Sequence, residues 1–425
     1  MTDPAVRLVE PLAAAPDAEV TIPGSKSVTN RALLCAALAD GTSTLAGALF
    51  ADDTAAMVGV LRGLGVEVRT DEAAARMVVA GAGRGVGAEP ATVDARKSGA
   101  TSRFVLPAAA LTAAPVVVDG AAQLRARPFG PLLDAMVELG AAVRPLAAPG
   151  YLPVEVAGPI RGGEVTIPGH LSSQFLSGLM LAAPLLPGGL RVRVSTPLVS
   201  VPYVRMTARV MAAFGATGAD VTESCVVVPA GSYRGVAYRV EPDASAASYF
   251  FAAAAITGGR ITVPGLGPDA LQGDVAFVDV LAKMGAAVER GRDAITVRGT
   301  GTLHGIDVDM ADISDTAQTL AAVAVHADSP TRVRGIGFIR RKETDRIGAV
   351  VTELRRAGID ATEDEDGFTI HPGTPRPTTF ATYDDHRMAM SLALLGLGTP
   401  GIGIADPGCV AKTFPTYFEV LDSLR

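Results

Sequence analysis

The sequence predicts an α/β fold of two similar lobes, each built from three repeated units, and three observations carry that expectation. First, a tight turn closes an apolar helix at Asp40-Gly41, Ala113-Ala114, Pro187-Gly188, Thr257-Gly258, Asp328-Ser329 and Thr399-Pro400. The second residues of these turns are spaced by 73, 74, 70, 71 and 71 positions. Second, an amphipathic helix ending at glycine before a strand recurs at Gly65, Gly140, Gly215, Gly285 and Gly358. Glycine is the expected residue there, because it enters the left-handed conformation that closes a helix without strain. Third, the two ends of the chain complement each other. The last repeat stops after a helix over 414–424. Its missing strands have counterparts at the other end, where Glu19-Val-Thr-Ile-Pro-Gly24 parallels Glu164-Val-Thr-Ile-Pro-Gly169.

Each unit reads as a small-polar cluster, an apolar helix of about three turns, a tight turn, a strand, an amphipathic helix and two strands. In the first lobe the clusters are Gly24-Ser-Lys-Ser-Val-Thr-Asn-Arg31, Arg96-Lys-Ser-Gly-Ala-Thr-Ser-Arg103 and Leu171-Ser-Ser-Gln174. In the second they are Glu241-Pro-Asp-Ala-Ser245, Asp312-Ile-Ser-Asp-Thr316 and Tyr383-Asp-Asp-His-Arg387. The first lobe is expected over 24–240. The second combines 1–23 with 241–425 and is completed by the N-terminal strands.

Composition narrows the function classes. Of 425 residues, 48% are hydrophobic and 19% charged, which supports a sizeable core and excludes intrinsic disorder. The mean hydropathy of +0.33 comes largely from alanine. Phe175 to Leu186, the most apolar run, is too short for a bilayer, which needs about 20 residues. No membrane partner is expected. Met1-Thr-Asp-Pro has neither a basic nor an apolar leader segment, and Cys35, Cys225 and Cys409 form no disulfide or metal pattern, so a reducing cytoplasm is expected. The net charge of −7 argues against nucleic acid. Only five cations are lysines, and Lys26, Lys97, Lys342 and Lys412 lie in polar, turn-rich segments.

A polar cluster before a helix N-terminus offers free backbone N–H groups to an anion. Arginine adds planar bidentate contacts and lysine a point charge, a mixture suited to phosphate and carboxylate. If the repeats stack with their helix starts facing one way, both lobes aim these clusters at a shared cleft, and the number of cations implies more than one anionic group. Among carboxylates, Asp315 and Glu343 are the acid–base candidates, since neighbouring cations can hold them ionised. A helix-capping or salt-bridged role is the competing explanation for both. Other motifs fail. Gly24-Ser-Lys26-Ser27 lacks the glycines of a P-loop, Gly81-Ala-Gly83 opens no apolar helix, and Glu363-Asp-Glu-Asp366-Gly reads as a strand–strand turn. No histidine spacing fits a metal, and none is expected.

Four segments carry a resemblance: Pro23-Gly-Ser-Lys-Ser-Val-Thr-Asn-Arg-Ala-Leu-Leu34, Arg340-Arg-Lys-Glu-Thr-Asp-Arg346, Asp385-His-Arg-Met-Ala-Met390 and Ala411-Lys-Thr-Phe-Pro415. The chain resembles the 5-enolpyruvylshikimate-3-phosphate (EPSP) synthases of the enolpyruvyl transferase family over essentially its whole length. The resemblance implies six repeats in two lobes of inverse α/β barrel-like form, no cofactor, and a monomer. It implies transfer of the enolpyruvyl group of phosphoenolpyruvate to the 5-hydroxyl of shikimate 3-phosphate, with release of phosphate. Carried over by position, it places Lys26, Ser27, Arg31, Ser172, Ser173, Gln174, Ser200, Tyr203, Asp315 and Lys342 around shikimate 3-phosphate. It places Lys26, Gly99, Arg127, Gln174, Arg346, Arg387 and Lys412 around phosphoenolpyruvate. Asp315 would accept the 5-hydroxyl proton, and Lys26 or Glu343 would protonate C3. Two departures stand out. Lys97-Ser98-Gly99-Ala100 replaces the usual Asn-Ala-Gly-Thr, and Phe338 occupies a position that often carries Asn or His.

The nearest rival is UDP-N-acetylglucosamine enolpyruvyl transferase, which shares the fold and the donor. It uses a loop cysteine, and 113–127 contains none. A non-catalytic repeat scaffold is the rival from another class, but it has no use for Lys26, Asp315, Glu343 and Lys412 in its turns.

Overall fold

The computed structural model describes residues 5–425. The leader reading drawn from Met1 to Pro4 lies outside them. The protein is mixed α/β, with many small mixed sheets. Its chain divides into two compact units: Gly24–Glu241, and the segment up to Pro23 together with Pro242–Arg425.

In Gly24–Glu241, three helices start on the polar clusters: Lys26–Ala37, Gly99–Ala109 and Ser173–Ala182. Each is capped by a serine whose Oγ accepts a backbone N–H, Ser25 from Val28, Ser98 from Thr101 and Ser172 from Gln174. All eleven residues of the Gly99 helix are buried, as befits a helix without a polar face. Three four-stranded sheets accompany these helices, and each joins a parallel pair to an antiparallel hairpin. Ala91–Asp94 runs parallel to Val116–Asp119, which pairs antiparallel with Val154–Ala157 and through it with Ala142–Pro145. Gly163–Ile167, Leu190–Val194, Cys225–Val228 and Asp220–Val221 repeat that order. In the third sheet Thr42–Ala46, Arg76–Ala80 and Glu67–Asp71 keep their places. Its outer parallel strand is Ala237–Arg239, from the far end of the unit.

The other unit repeats the pattern around Ala244–Thr257, Ala317–Ala324 and His386–Ala393. Asp307–Asp309, Thr331–Arg334, Phe368–Ile370 and Ala361–Glu363 form one sheet, and the acidic run Glu363–Gly367 is its hairpin turn. Arg260–Pro264, Ala294–Arg298 and Ala287–Arg290 form another, with Asp17–Glu19 as its outer parallel strand. The last sheet has three strands, Thr378–Phe380, Ile402–Ala405 and Val6–Val9.

The expectation that the N-terminal strands together complete the last repeat is therefore corrected. Val6–Val9 does so. Asp17–Glu19 instead opens the sheet of the Ala244 helix, held by Arg260 N donating to the Pro16 carbonyl (2.7 Å) and Val20 N to that of Thr262 (2.8 Å). The result is an exchange. Asp17–Glu19 directly precedes the Lys26 helix in sequence but serves the sheet of the Ala244 helix. Ala237–Arg239 directly precedes the Ala244 helix but serves the sheet that follows the Lys26 helix. Local sequence marks such strands clearly and says nothing of which sheet receives them.

The glycine marker is uniform: Gly65, Gly140, Gly215, Gly285 and Gly358 have φ of 84°, 96°, 98°, 109° and 81°. Among the described residues, no helix is long and apolar enough to cross a membrane.

Gly396, in the turn after the His386 helix, lies against the first strand: a Cβ there would stand 2.5 Å from the Val9 Cβ. Gly396→Ala is expected to push Val6–Val9 from its sheet and to cost about 1–3 kcal/mol of stability in urea unfolding.

Candidate active site

In Gly24–Glu241 the functional side chains cluster at helix starts. Lys26 is the first residue of its helix, and its Nζ lies 3.5 Å from Asp53 Oδ2, itself in the first turn of the Asp52–Gly63 helix. Gly99 opens the second core helix. A Cβ on it would meet Arg127 Nη1 at 2.7 Å and Arg103 Nη1 at 3.1 Å, so two guanidinium groups rest where a side chain would stand. Arg103 donates to Gln174 Oε1 (2.7 Å) and lies over the rings of Phe129 and Phe175. Gly99, Arg127, Arg103 and Gln174 thus form one continuous patch at the N-termini of two core helices. Two cations beside free helix N–H groups make it attractive to an anion. Ser172 and Ser173 begin the helix that carries Gln174.

Arg31 is buried, and its four hydrogen bonds go to neutral groups: Thr207 Oγ1, Ser177 Oγ and the carbonyls of Ser27 and Tyr203. Its guanidinium also lies 4.8 Å over the Phe104 ring. Burial pulls its pKa down to about 10, which leaves it charged at neutral pH. Arg31 is therefore a tie between helices that carries a positive charge into the unit. Ser200 takes a left-handed conformation (φ 54°) at the head of the Val201–Ala213 helix, on which Tyr203 is half-buried.

In the other unit, a single guanidinium organises the site. Arg346 begins the Arg346–Arg356 helix, and its side chain is 2% exposed. Its Nε meets Asp385 Oδ2 at 2.8 Å, Nη1 meets Asp315 Oδ1 at 3.2 Å, and Nη2 meets Glu343 Oε2 at 2.8 Å. Arg387 adds a 2.7 Å bond to Asp315 Oδ2 and a second to the Asp315 carbonyl. Lys412 Nζ stands 4.0 Å from Glu343 Oε1. Burial alone would depress the pKa of Arg346, but Asp385, Glu343 and Asp315 outweigh it and raise it above its usual value. Asp385, wholly buried, also caps the next helix by accepting the Arg387 N–H. His386 is buried beside it; desolvation, reinforced by the charge of Arg387, holds its pKa well below the ordinary 6.5, so the ring is neutral.

Of the sequence-derived candidates here, Asp315, Glu343, Arg346, Arg387 and Lys412 form one network. Lys342 Nζ lies 5.8 Å over the ring of Phe338, which offers this lysine a π face.

Known proteins match the chain over nearly its whole length. The family description "EPSP synthase (3-phosphoshikimate 1-carboxyvinyltransferase)" fits residues 13–421. The 3-phosphoshikimate 1-carboxyvinyltransferase of Trichormus variabilis is 44% identical over 404 residues, 95% of each chain. That of Methanosphaerula palustris is 44% identical over 407 residues, 95% of this chain and 96% of its own. The chain belongs to the EPSP synthase family. The solved EPSP synthase of Acinetobacter baumannii, 27% identical, superposes with a TM-score of 0.84 over 99% of this chain and 98% of its own. The activity of the family, 3-phosphoshikimate 1-carboxyvinyl transfer in aromatic amino acid biosynthesis, is the activity of this enzyme.

Three residues of these clusters escape the sequence reading as site members. Asp53 carries no signal beyond being an acid in the first turn of a second helix. Arg103 ends a polar cluster one helical turn after Gly99, but its bond to Gln174, on another helix, is tertiary. Asp385 lies inside a recognisable motif, yet its bond to Arg346, 39 positions away, is purely tertiary.

Two outcomes follow from this geometry. Gly99→Ala should displace Arg127 and raise the KM for phosphoenolpyruvate about tenfold in steady-state assays, with the melting temperature little changed. His386 sets a pH dependence. The unfolded chain binds a proton there below the ordinary 6.5 and the folded chain does not, so stability falls as pH drops through that value. In urea unfolding between pH 7 and 5, His386→Gln should lose less stability than the parent, the difference approaching about 1.4 kcal/mol per pH unit.

Proposed function

We propose that the two clusters divide the work of enolpyruvyl transfer. Lys26, Ser27, Arg31, Ser172, Ser173, Gln174, Ser200 and Tyr203, with Asp315 and Lys342, bind shikimate 3-phosphate. Lys26, Gly99, Arg127, Gln174, Arg346, Arg387 and Lys412 bind phosphoenolpyruvate. Arg31 contributes through charge and by fixing the Tyr203 helix, since it makes four hydrogen bonds within the protein. The six like sheets are read as six repeats in two lobes of three, an inverse α/β barrel-like architecture, and the enzyme as a cytoplasmic monomer.

One observation supports this chemistry above the others: Asp315 and Glu343 are bonded to the same buried guanidinium. A shared cation favours the ionised form of Asp315 and fixes its spacing from Glu343, so Asp315 can serve the hydroxyl and Glu343 the methylene carbon. Asp315 takes the 5-hydroxyl proton as that oxygen bonds to C2 of phosphoenolpyruvate. C3 gains a proton from Lys26 or Glu343, giving a tetrahedral intermediate. The C2–O bond to phosphate then breaks, the oxygen leaves with the electron pair, and C3 gives up a proton to Lys26 or Glu343, which restores the double bond. Arg346, Arg387 and Lys412 stabilise the charge that develops on the departing phosphate.

Purified enzyme should release inorganic phosphate only when phosphoenolpyruvate and shikimate 3-phosphate are both present. Release with UDP-N-acetylglucosamine in place of shikimate 3-phosphate would overturn the assignment. Asp315→Ala should lower kcat by about 10²–10⁴, the range of a lost acid–base group, with the KM for shikimate 3-phosphate changed only a few-fold.

A further inference from the structure

Two turns along from Arg346 on the same helix lies Glu353, a carboxylate 1% exposed that the chemistry above does not use. Its Oε2 accepts the backbone N–H of Ala381 (2.9 Å) and Arg356 Nη1 (2.6 Å), and its Oε1 accepts the Tyr383 hydroxyl (2.7 Å). Arg356 is itself tied to the Thr379 carbonyl. Every one of these bonds leads to the same short segment, which runs from the end of the Thr378–Phe380 strand to Asp385.

That segment is held in an unfavourable backbone form. Tyr383 and Asp384 are successive non-glycine residues at φ 55° and 53°. Left-handed residues that are not glycine are strained and persist only where their surroundings enforce them. The next residue is Asp385, whose carboxylate grips Arg346 through Nε and Nη2. The Tyr383 side chain gives the turn little packing, since the residue is 41% exposed, so its hydroxyl bond to a buried carboxylate is its structural contribution.

The contacts close a ring: Arg346 to Asp385, back through the left-handed turn to Tyr383 and Ala381, on to Glu353, and along the helix to Arg346. We propose that Glu353 is a positioning residue for the reaction. By tethering Ala381 and Tyr383 it locks the turn that presents Asp385, and so fixes the Arg346 guanidinium against Asp315 and Glu343. This inference rests on the assignment of Arg346, Asp315 and Glu343 to the reacting site.

The test is a set of variants, Glu353→Gln, Tyr383→Phe, Asp385→Asn and the double Glu353→Gln/Asp385→Asn, assayed for phosphate release with both substrates and for thermal unfolding. Tyr383→Phe should lower kcat about fivefold, the worth of one hydrogen bond, with KM for shikimate 3-phosphate and the melting temperature nearly unchanged. Glu353→Gln should lower kcat about tenfold, and the double variant should be no slower than Asp385→Asn by more than about twofold, because both changes act on one contact. A wild-type kcat in Tyr383→Phe, or losses that multiply in the double variant, would overturn the inference while leaving the site assignment standing. A wild-type kcat in Asp385→Asn would overturn both.

Discussion

A guanidinium shared among three carboxylates sets the terms for the rest of the 242–425 half. Taking an ion out of water costs several kcal/mol, and Arg346 recovers that only because Asp385, Asp315 and Glu343 all reach it. The planar fork matters. Nε and Nη2 face Asp385 while Nη1 is left for Asp315, a division that an ammonium group could not make. With Arg387 and Lys412 beside it the cluster is balanced, three cations against three carboxylates.

The other unit handles charge differently. Arg31 is compensated by hydroxyls, carbonyls and an aromatic face, and Arg103 by an amide oxygen and two rings. Neutral partners satisfy N–H groups without cancelling a charge, so Arg31 keeps a positive potential that favours a nearby anion. Arg31 is thus met by neutral groups, whereas Arg346 and Arg387 are bound to carboxylates.

Much of this organisation is legible in the sequence because it is local. Apolar helices, glycine stops and serine caps each occupy a few adjacent residues, so their period of about 71 positions shows without a structure. The Arg340–Arg346 and Asp385–Met390 segments are likewise continuous. What the sequence hides is tertiary. Glu19-Val-Thr-Ile and Glu164-Val-Thr-Ile are the same strand to the eye, yet one pairs with a neighbour and the other with a strand more than 200 positions away. The partners of Arg31 and the grip of Asp385 on Arg346 depend on helices meeting, which no local pattern encodes.

The pairing of Val6–Val9 with Ile402–Ala405 has a consequence for how the enzyme is made. Val6–Val9 leaves the ribosome long before the strand it pairs with. Gly24–Glu241 is an unbroken stretch with all its strands inside it, and it can finish folding while the rest is still being synthesised. The remaining half stays open until Ile402–Ala405 has been synthesised, with Val6–Val9 held in reserve for that sheet. The emergence of Ile402–Ala405 is thus the earliest moment at which the Arg346 half can close.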